Sequence, residues 1–302
     1  MHIGNVMAAL LSWLSVRKEG GTWLLRHEDL DPDRSHLDYA AQIEADLLRL
    51  GLEWDEGGLQ GRGGISGGCL SGSAGVSASN AGPYVQSQRG GIYEEQFERI
   101  RQLTYPCWCT RADILAAQAP HESDGRVVYP GTCRRYVNGN VPDGPAAVRL
   151  VVPDREIRFT DLHYGPQGVN LSQHCGDFVV RRKDGGWAYQ FAVVVDDALM
   201  GVTEVVRGRD LLLSTAQQLY LFDLLGFTPP LYAHFPLLCS QDGRRLSKRD
   251  AAADIDAYRS PEQLIGFLGC AAGLTDRPEP CRAGELVPLF SWDKVPLEDI
   301  RL

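Results

Sequence analysis

Three short stretches of this 302-residue chain hold side chains whose types and spacing suit chemistry. In the first, Cys107-x-Cys109 and then Cys133 gather three of the eight cysteines, while the other five are scattered. Thiolates are soft, strong zinc ligands, and a structural zinc site is closed and tetrahedral, so three cysteines need a fourth ligand. On chemistry alone His121, which lies between them, is the better guess. The second stretch is His2-Ile3-Gly4-Asn5, directly before an apolar helix. A helix N-terminus presents unpaired N–H groups that can hold phosphate. His2 can donate to phosphoryl oxygens, and Gly4 lets a nucleotide lie close to the backbone. Taken alone, these four residues read as a helix cap with an incidental histidine. The third stretch is Arg245-Leu246-Ser247-Lys248-Arg249, after Gly243. Lys248 can neutralise charge as pyrophosphate leaves an α-phosphate, an interaction made only in the transition state. Taken alone, it reads as a solvated basic turn.

These groups need a scaffold, and the sequence supplies an α/β rhythm. An apolar-rich helix from about Val6 to Lys18 is stopped by Gly20-Gly21. Thr22 to His27 reads as a short buried strand, and Leu37 to Leu50 as a second helix. Residues 57–82 are mostly Gly, Ser and Ala and read as a flexible surface insertion. Order resumes at Pro83 to Arg89, with a helix from Ile92 to Leu103. Ala147–Ile157 and Asp177–Val195 read as strand-rich, the second with a turn at Asp184-Gly185-Gly186. Leu211–Leu225 is a helix ended by Gly226, and short helical segments follow to the C-terminus.

The composition is ordinary for a globular protein, at 44% apolar and 23% charged. A net charge of -9 gives no global basic field and counts against non-specific nucleic-acid binding. One basic surface still suffices for an RNA substrate. No apolar run is long enough for a membrane span, and no signal-peptide pattern opens the chain. Uneven cysteine placement fits a reduced, cytoplasmic protein with a metal site better than a disulfide scaffold.

Together, the His2 and Lys248 stretches resemble the paired HIGH and KMSKS signatures of class I aminoacyl-tRNA synthetases, with Asn5 departing from the last histidine of the first. The resemblance implies a Rossmann-like catalytic domain that binds ATP and Mg2+ through His2, Gly4, Asn5, Ser247 and Lys248, with His2 and Lys248 catalytic. Further blocks resemble the glutamyl/glutaminyl branch: Arg26-His27-Glu28-Asp29-Leu30-Asp31, Tyr84-Val85-Gln86-Ser87-Gln88-Arg89 and Val205-Val206-Arg207-Gly208-Arg209-Asp210-Leu211-Leu212 with Ser214, Thr215 and Gln218. For a glutamate substrate this implies that Glu28 meets the α-ammonium, while Tyr189 and Arg207 hold the carboxylate end. An arginine fork binds a carboxylate with fixed bidentate geometry, and a tyrosine hydroxyl adds direction.

About 50 residues follow Lys248, too few for the anticodon-reading region of a full glutamyl-tRNA synthetase. The chain therefore resembles the short paralogues, the glutamyl-Q tRNA(Asp) synthetases. That resemblance implies activation of L-glutamate without tRNA, then its transfer to queuosine at the wobble position of tRNA(Asp), by a monomer without anticodon-binding barrels. It also implies a Zn2+ held by Cys107, Cys109, Tyr129 and Cys133, with tyrosine in place of His121 as the fourth ligand. The implied domains are 1–89 and 181–250 for the two parts of the catalytic domain, 90–180 for an inserted acceptor-type subdomain with its zinc module at 107–133, and 251–302 for a short helical end. The family pattern normally has a strand and an Arg-x-Ala-Pro-Ser-Pro-x-Gly segment before the histidine motif, whereas here Met1 precedes His2. A parallel sheet without that strand is expected to expose apolar edges and to be weakly stable. Three other readings stay open on sequence: a truncated glutamyl-tRNA synthetase charging tRNA(Glu), a non-catalytic tRNA-binding paralogue, and an unrelated nucleotidyl transferase.

Overall fold

The computed structural model describes residues 1–31, 35–61, 81–117, 128–134, 143–243, 255 and 258–302. Helix α1 (Ile3–Lys18) starts earlier than its apolar pattern suggests, because His2 caps it. Ile3, Val6, Leu10, Leu11 and Leu14 are all buried. A helix that is apolar all round must be covered all round. The strand Glu204–Gly208 lies against one side of α1, and the short helix Ala283–Leu286 and the following Val287–Leu289 turn lie against another. Trp54 and, from the helix Pro261–Ala271, Leu264 and Leu268 join the same core.

Strand β1 (Leu24–Leu25) leads through α2 (Leu37–Arg49) to β2 (Glu56–Gly57), which pairs parallel to it. Most of the glycine-serine insertion, residues 62–80, lies outside the described residues. The chain returns beside β1 through a parallel bridge between His27 and Val85. A 3-10 turn over Gln86–Arg89 and helix α3 (Gly90–Glu98) follow. The helix expected to run to Leu103 breaks at Arg99 and finishes as a separate 3-10 turn, Arg101–Leu103.

Strand β3 (Thr104–Cys107), helix α4 (Arg111–Ala117) and strands β4 (Ala147–Leu150), β5 (Glu156–Asp161) and β6 (Gly165–Asn170) come next. After the short α5 (Leu171–His174), β7 (Phe178–Arg181) completes an antiparallel sheet of order β3-β4-β7. Helix α6 (Tyr189–Leu199), β8 (Glu204–Gly208), α7 (Leu212–Leu225) and β9 (Leu231–Phe235) follow. The larger sheet has the order β6-β5-β9-β8, with β8 and β9 parallel. Strand β10 (Leu238–Cys239), α8 (Pro261–Ala271), α9 (Ala283–Leu286) and β11 (Ile300–Arg301) close the chain, and β11 pairs parallel to β10. Gly226 ends α7 with φ +63°, as its position after the apolar run suggests.

One expectation is corrected. The Asp177–Val195 stretch is strand only over β7, and Tyr189–Leu199 is the helix α6. The Val193-Val194-Val195 run favours strand intrinsically. Phe191, Ala192, Val194 and Val195 are nevertheless all fully buried, so packing on α7 and α3 decides the matter. The turn at Asp184–Gly186 is present, with Gly185 at φ +87° and an antiparallel bridge between Arg181 and Trp187. Among the described residues no helix is long and apolar enough to cross a membrane.

Parallel pairing occurs in separate pieces: β1 with β2, and β8 with β9. Both β1 and β8 border one cavity of about 780 Å3, roofed by α1. What fastens the pieces is a buried carboxylate. Asp196, on α6, accepts hydrogen bonds from Gln86 Nε2 at 2.8 Å, Arg89 Nε at 2.6 Å and Tyr93 Oη at 2.8 Å. Arg89 is itself 1% exposed, so removing its partner strands a charge in the core. The Asp196→Ala variant is expected to lose about 3–5 kcal/mol of stability, read as a lower urea midpoint. A loss under 1 kcal/mol would show that Arg89 finds water instead.

Candidate active site

The cavity between β1 and β8 brings together Glu28, Tyr189 and Arg207, three residues that are distant in sequence. Glu28 follows β1, Tyr189 opens α6 and Arg207 stands near the end of β8.

Arg207 is only 8% exposed. Its Nε donates to His234 Nε2 at 3.1 Å and its Nη2 to Thr215 Oγ1 at 2.8 Å. Its guanidinium carbon lies 5.1 Å from the centre of the Tyr232 ring. No carboxylate among the described residues pairs with it, and Nη1 has no hydrogen-bond partner among them. A largely buried cation without an internal anion is costly unless a ligand supplies the charge. Tyr232 Oη is also buried without a partner. His234 and Tyr232 are not marked by any motif, because their relation to Arg207 depends on the register of β9 beside β8, whereas Thr215 belongs to the same sequence block as Arg207.

Tyr189 is 39% exposed and lines the cavity. Desolvation in the pocket and the nearby Glu28 carboxylate push its hydroxyl up to about 12, against the pull of Arg207. It therefore stays protonated and able to donate at neutral pH. Glu28 accepts from Arg26 Nη2 at 2.9 Å. Arg26 also pairs with Asp197 at 2.8 Å, and its buried Nε makes no hydrogen bond but lies 3.8 Å from Asp196 Oδ2. Burial works against the Arg26 charge, but Asp197, Glu28 and Asp196 together hold its pKa above the ordinary arginine value. A second cavity, of about 580 Å3, shares Glu28 and Tyr189 with the first and is also bordered by Arg182, Lys183 and Trp187.

The predicted nucleotide residues fall elsewhere. His2 caps α1, its Nδ1 accepting from the Gly4 N–H at 3.1 Å. A Cβ at Gly4 would lie 3.1 Å from His2 Cε1, so this glycine makes room for the histidine ring. Asn5 is exposed. None of His2, Gly4 and Asn5 lines either of the two cavities. Ser247 and Lys248 lie outside the described residues, as does His121.

The cysteine module is a third cluster. The Sγ atoms of Cys107, Cys109 and Cys133 lie within 4.8 Å of one another, those of Cys109 and Cys133 being 3.5 Å apart. Tyr129 Oη is 3.4 Å from Cys107 Sγ and accepts from the Cys133 N–H at 2.9 Å. Four donors about 2.3 Å from one zinc sit roughly 3.8 Å apart, so the donor set fits a tetrahedral ion. Burial, the hydrogen bond with Cys133 and the charge of Cys107 push the Cys109 thiol up to about 12. Burial works against Cys133 too, but hydrogen bonds from Tyr129 and the Trp108 N–H hold that thiol below its ordinary range. Tyr129 approaches through a parallel bridge to Gly176, where a Cβ would lie 2.1 Å from the Tyr129 carbonyl oxygen. Arg149 Nε donates to Cys107 Sγ at 3.2 Å, and its guanidinium stacks 3.7 Å from the Tyr129 ring centre. Asp177, held by Arg134 at 2.5 Å and by the Val152 N–H at 2.9 Å, ties the module to β4 and β7.

The family model for tRNA synthetases class I (E and Q), catalytic domain, matches residues 1–268. A protein of Symbiobacterium thermophilum named glutamyl-Q tRNA(Asp) synthetase is 44% identical, over 100% of this chain and 92% of its own length. One of the same name from Nitratidesulfovibrio vulgaris is 42% identical, over 98% of this chain and 90% of its own. Among solved structures, glutamate-tRNA synthetase from Elizabethkingia anophelis superposes with a TM-score of 0.80 at 26% identity. A glutamate tRNA ligase from Elizabethkingia meningosepticum, in complex with its amino acid, gives 0.78 at 26% identity. Each covers the whole of this chain, which spans 65% and 64% of their respective lengths. With its α/β catalytic fold, the chain belongs to the class I tRNA synthetase family of the glutamyl and glutaminyl type, and is a ligase.

Proposed function

We propose that this chain joins L-glutamate to ATP without tRNA, forming glutamyl-adenylate, and then passes the glutamate to queuosine at the wobble position of tRNA(Asp). The observation that carries the reading is Arg207: a buried guanidinium with no internal carboxylate among the described residues, bordering one cavity with Glu28 and Tyr189. That set suits an amino acid with an ammonium and a carboxylate at opposite ends. In the first step an oxygen of the glutamate α-carboxylate attacks the α-phosphorus of ATP, and the bond to the β-phosphate breaks, releasing pyrophosphate. In this reading His2, released from its cap on Gly4, the α1 N-terminus and Lys248 would meet the charge on the phosphates, and Mg2+, when bound, would supply further positive charge there. In the second step a hydroxyl of the queuosine cyclopentenediol attacks the carbonyl of the mixed anhydride, loses its proton and expels AMP. The anhydride is already activated, so positioning supplies most of the rate. The cavity beside Glu28 and Tyr189, with Arg182 and Lys183 on its rim, gives the acceptor a route to that carbonyl. The names of the relatives and the near-complete coverage of their length support the same acceptor.

Glutamate-dependent ATP–pyrophosphate exchange without tRNA tests the first step. Exchange with L-glutamate but not with glutamine or aspartate is expected, and Arg207→Ala should lower kcat/KM for glutamate at least 100-fold, about 2.7 kcal/mol. Exchange only in the presence of tRNA, or labelling of the 3′ end of tRNA(Glu) and not of queuosine, would sink the reading.

We further propose that Cys107, Cys109, Tyr129 and Cys133 hold one structural Zn2+, which fixes the inserted module and takes no part in the ATP chemistry. About one equivalent of zinc should accompany the purified chain, and Cys109→Ser should lose it. Because the module faces the RNA and not the ATP, that variant should lose transfer to tRNA while keeping most of its exchange activity. Full zinc retention in the Tyr129→Phe, Cys109→Ser double variant would rule these ligands out.

A further inference from the structure

We propose that His234 and Asp161 are positioning residues that aim Arg207 into the cavity while leaving its positive charge free for a ligand carboxylate. The inference rests on the reading that Arg207 receives the carboxylate end of the substrate.

Strand register builds the arrangement. Arg207 on β8 and His234 on β9 are directly opposite partners in a parallel pair. Asp161, the last residue of β5, pairs with Tyr232 on the other edge of β9. Three neighbouring strands thus bring arginine, histidine and aspartate together, with Asp161 two register positions from the Arg207–His234 pair. All three are buried, with His234 at 0% exposure.

The hydrogen bonds have one consistent direction. The Arg207 Nε–H can only donate, so His234 Nε2, 3.1 Å away, must be an unprotonated acceptor. The ring proton then sits on Nδ1, 2.6 Å from Asp161 Oδ2. Burial lowers the His234 pKa and the Arg207 charge adds to that, while Asp161 pulls the other way, and the net direction is down. Asp161 is anchored in turn by the backbone N–H groups of His163 at 3.0 Å and Tyr164 at 2.8 Å. On the far side of the guanidinium, Thr215 Oγ1 accepts from Nη2 at 2.8 Å. Tyr232 lies nearly parallel to the His234 ring, at 15° and 6.2 Å between centroids.

The chemistry of these acceptors matters. An aspartate touching Arg207 directly would form a bidentate pair and cancel its charge. An imidazole nitrogen and a hydroxyl satisfy N–H groups without cancelling it. They fix the plane of the fork and leave Nη1 without a partner among the described residues. The Asp161 charge, one ring away, sets the tautomer and not the pairing.

Two measurements test this on the full chain. The first is the imidazole 15N spectrum of histidine-labelled protein, with the His234 signals identified by their loss in His234→Gln. An Nδ1–H tautomer is expected, and an Nε2–H tautomer or an imidazolium at neutral pH overturns the relay whatever the ligand. The second is calorimetric titration of L-glutamate and, separately, of ATP. His234→Leu should weaken glutamate binding at least tenfold and change ATP binding less than twofold. His234→Gln, whose amide oxygen can accept from Nε–H, should recover most of the loss. Equal weakening for both ligands marks a merely structural residue and overturns the proposal. Glutamate binding by His234→Leu at the parent affinity, with Arg207→Ala impaired, overturns the relay alone. Unchanged binding in Arg207→Ala, or no glutamate binding by the parent chain, overturns the reading of Arg207 and the relay with it.

Discussion

A single buried carboxylate, Asp196, holds the active-site half of this molecule together. It sits near the end of α6 and gathers donors from Gln86, Arg89 and Tyr93, all from the 86–89 turn and α3. Its neighbour Asp197 engages Arg26, which in turn holds Glu28. Two adjacent aspartates on one helix therefore connect β1, the 86–89 turn and α3 to the helix whose first residue is Tyr189. Buried ion pairs are uncertain stabilisers, because desolvation offsets attraction. Their value here is geometric: they set where Glu28 and Tyr189 stand relative to each other.

The site uses charge in two ways. Around Asp196 and Asp197, cations and anions are matched inside the protein. Around Arg207 the cation meets, among the described residues, neutral acceptors and an aromatic ring. This contrast separates the arginines paired within the protein from the one proposed to take a ligand carboxylate. The cysteine module follows the matched pattern again, with Asp177 and Arg149 placed to fasten it to the neighbouring strands.

Much of this was legible in the sequence where the signal was local. The Arg26–Asp31, Tyr84–Arg89 and Val205–Leu212 blocks each carry their residues on one element or turn, and Glu28, Tyr189 and Arg207 do converge on one cavity. The cysteine spacing likewise places three thiols and Tyr129 together. Reading failed where tertiary packing overrode local preference, as in the valine run of α6, which looked like strand and is helix. Asp161 and His234 carry no signal along the chain, because cross-strand register is invisible to such a scan. His2 shows the local reading of its stretch, a helix cap, with its side chain turned to its own helix.

Wide separation between partners has a consequence for synthesis. Asp196 follows Arg89 by 107 positions. At translation rates of about 5–20 residues per second, the carboxylate emerges roughly 5–20 s after the arginine that it is to bury. Helix α1, made first, waits longer still, since part of its apolar cover comes from α8 and α9 at the other end of the chain. Until α8 and α9 have been made, the leucines of α1 therefore lack part of the cover they have in the folded chain.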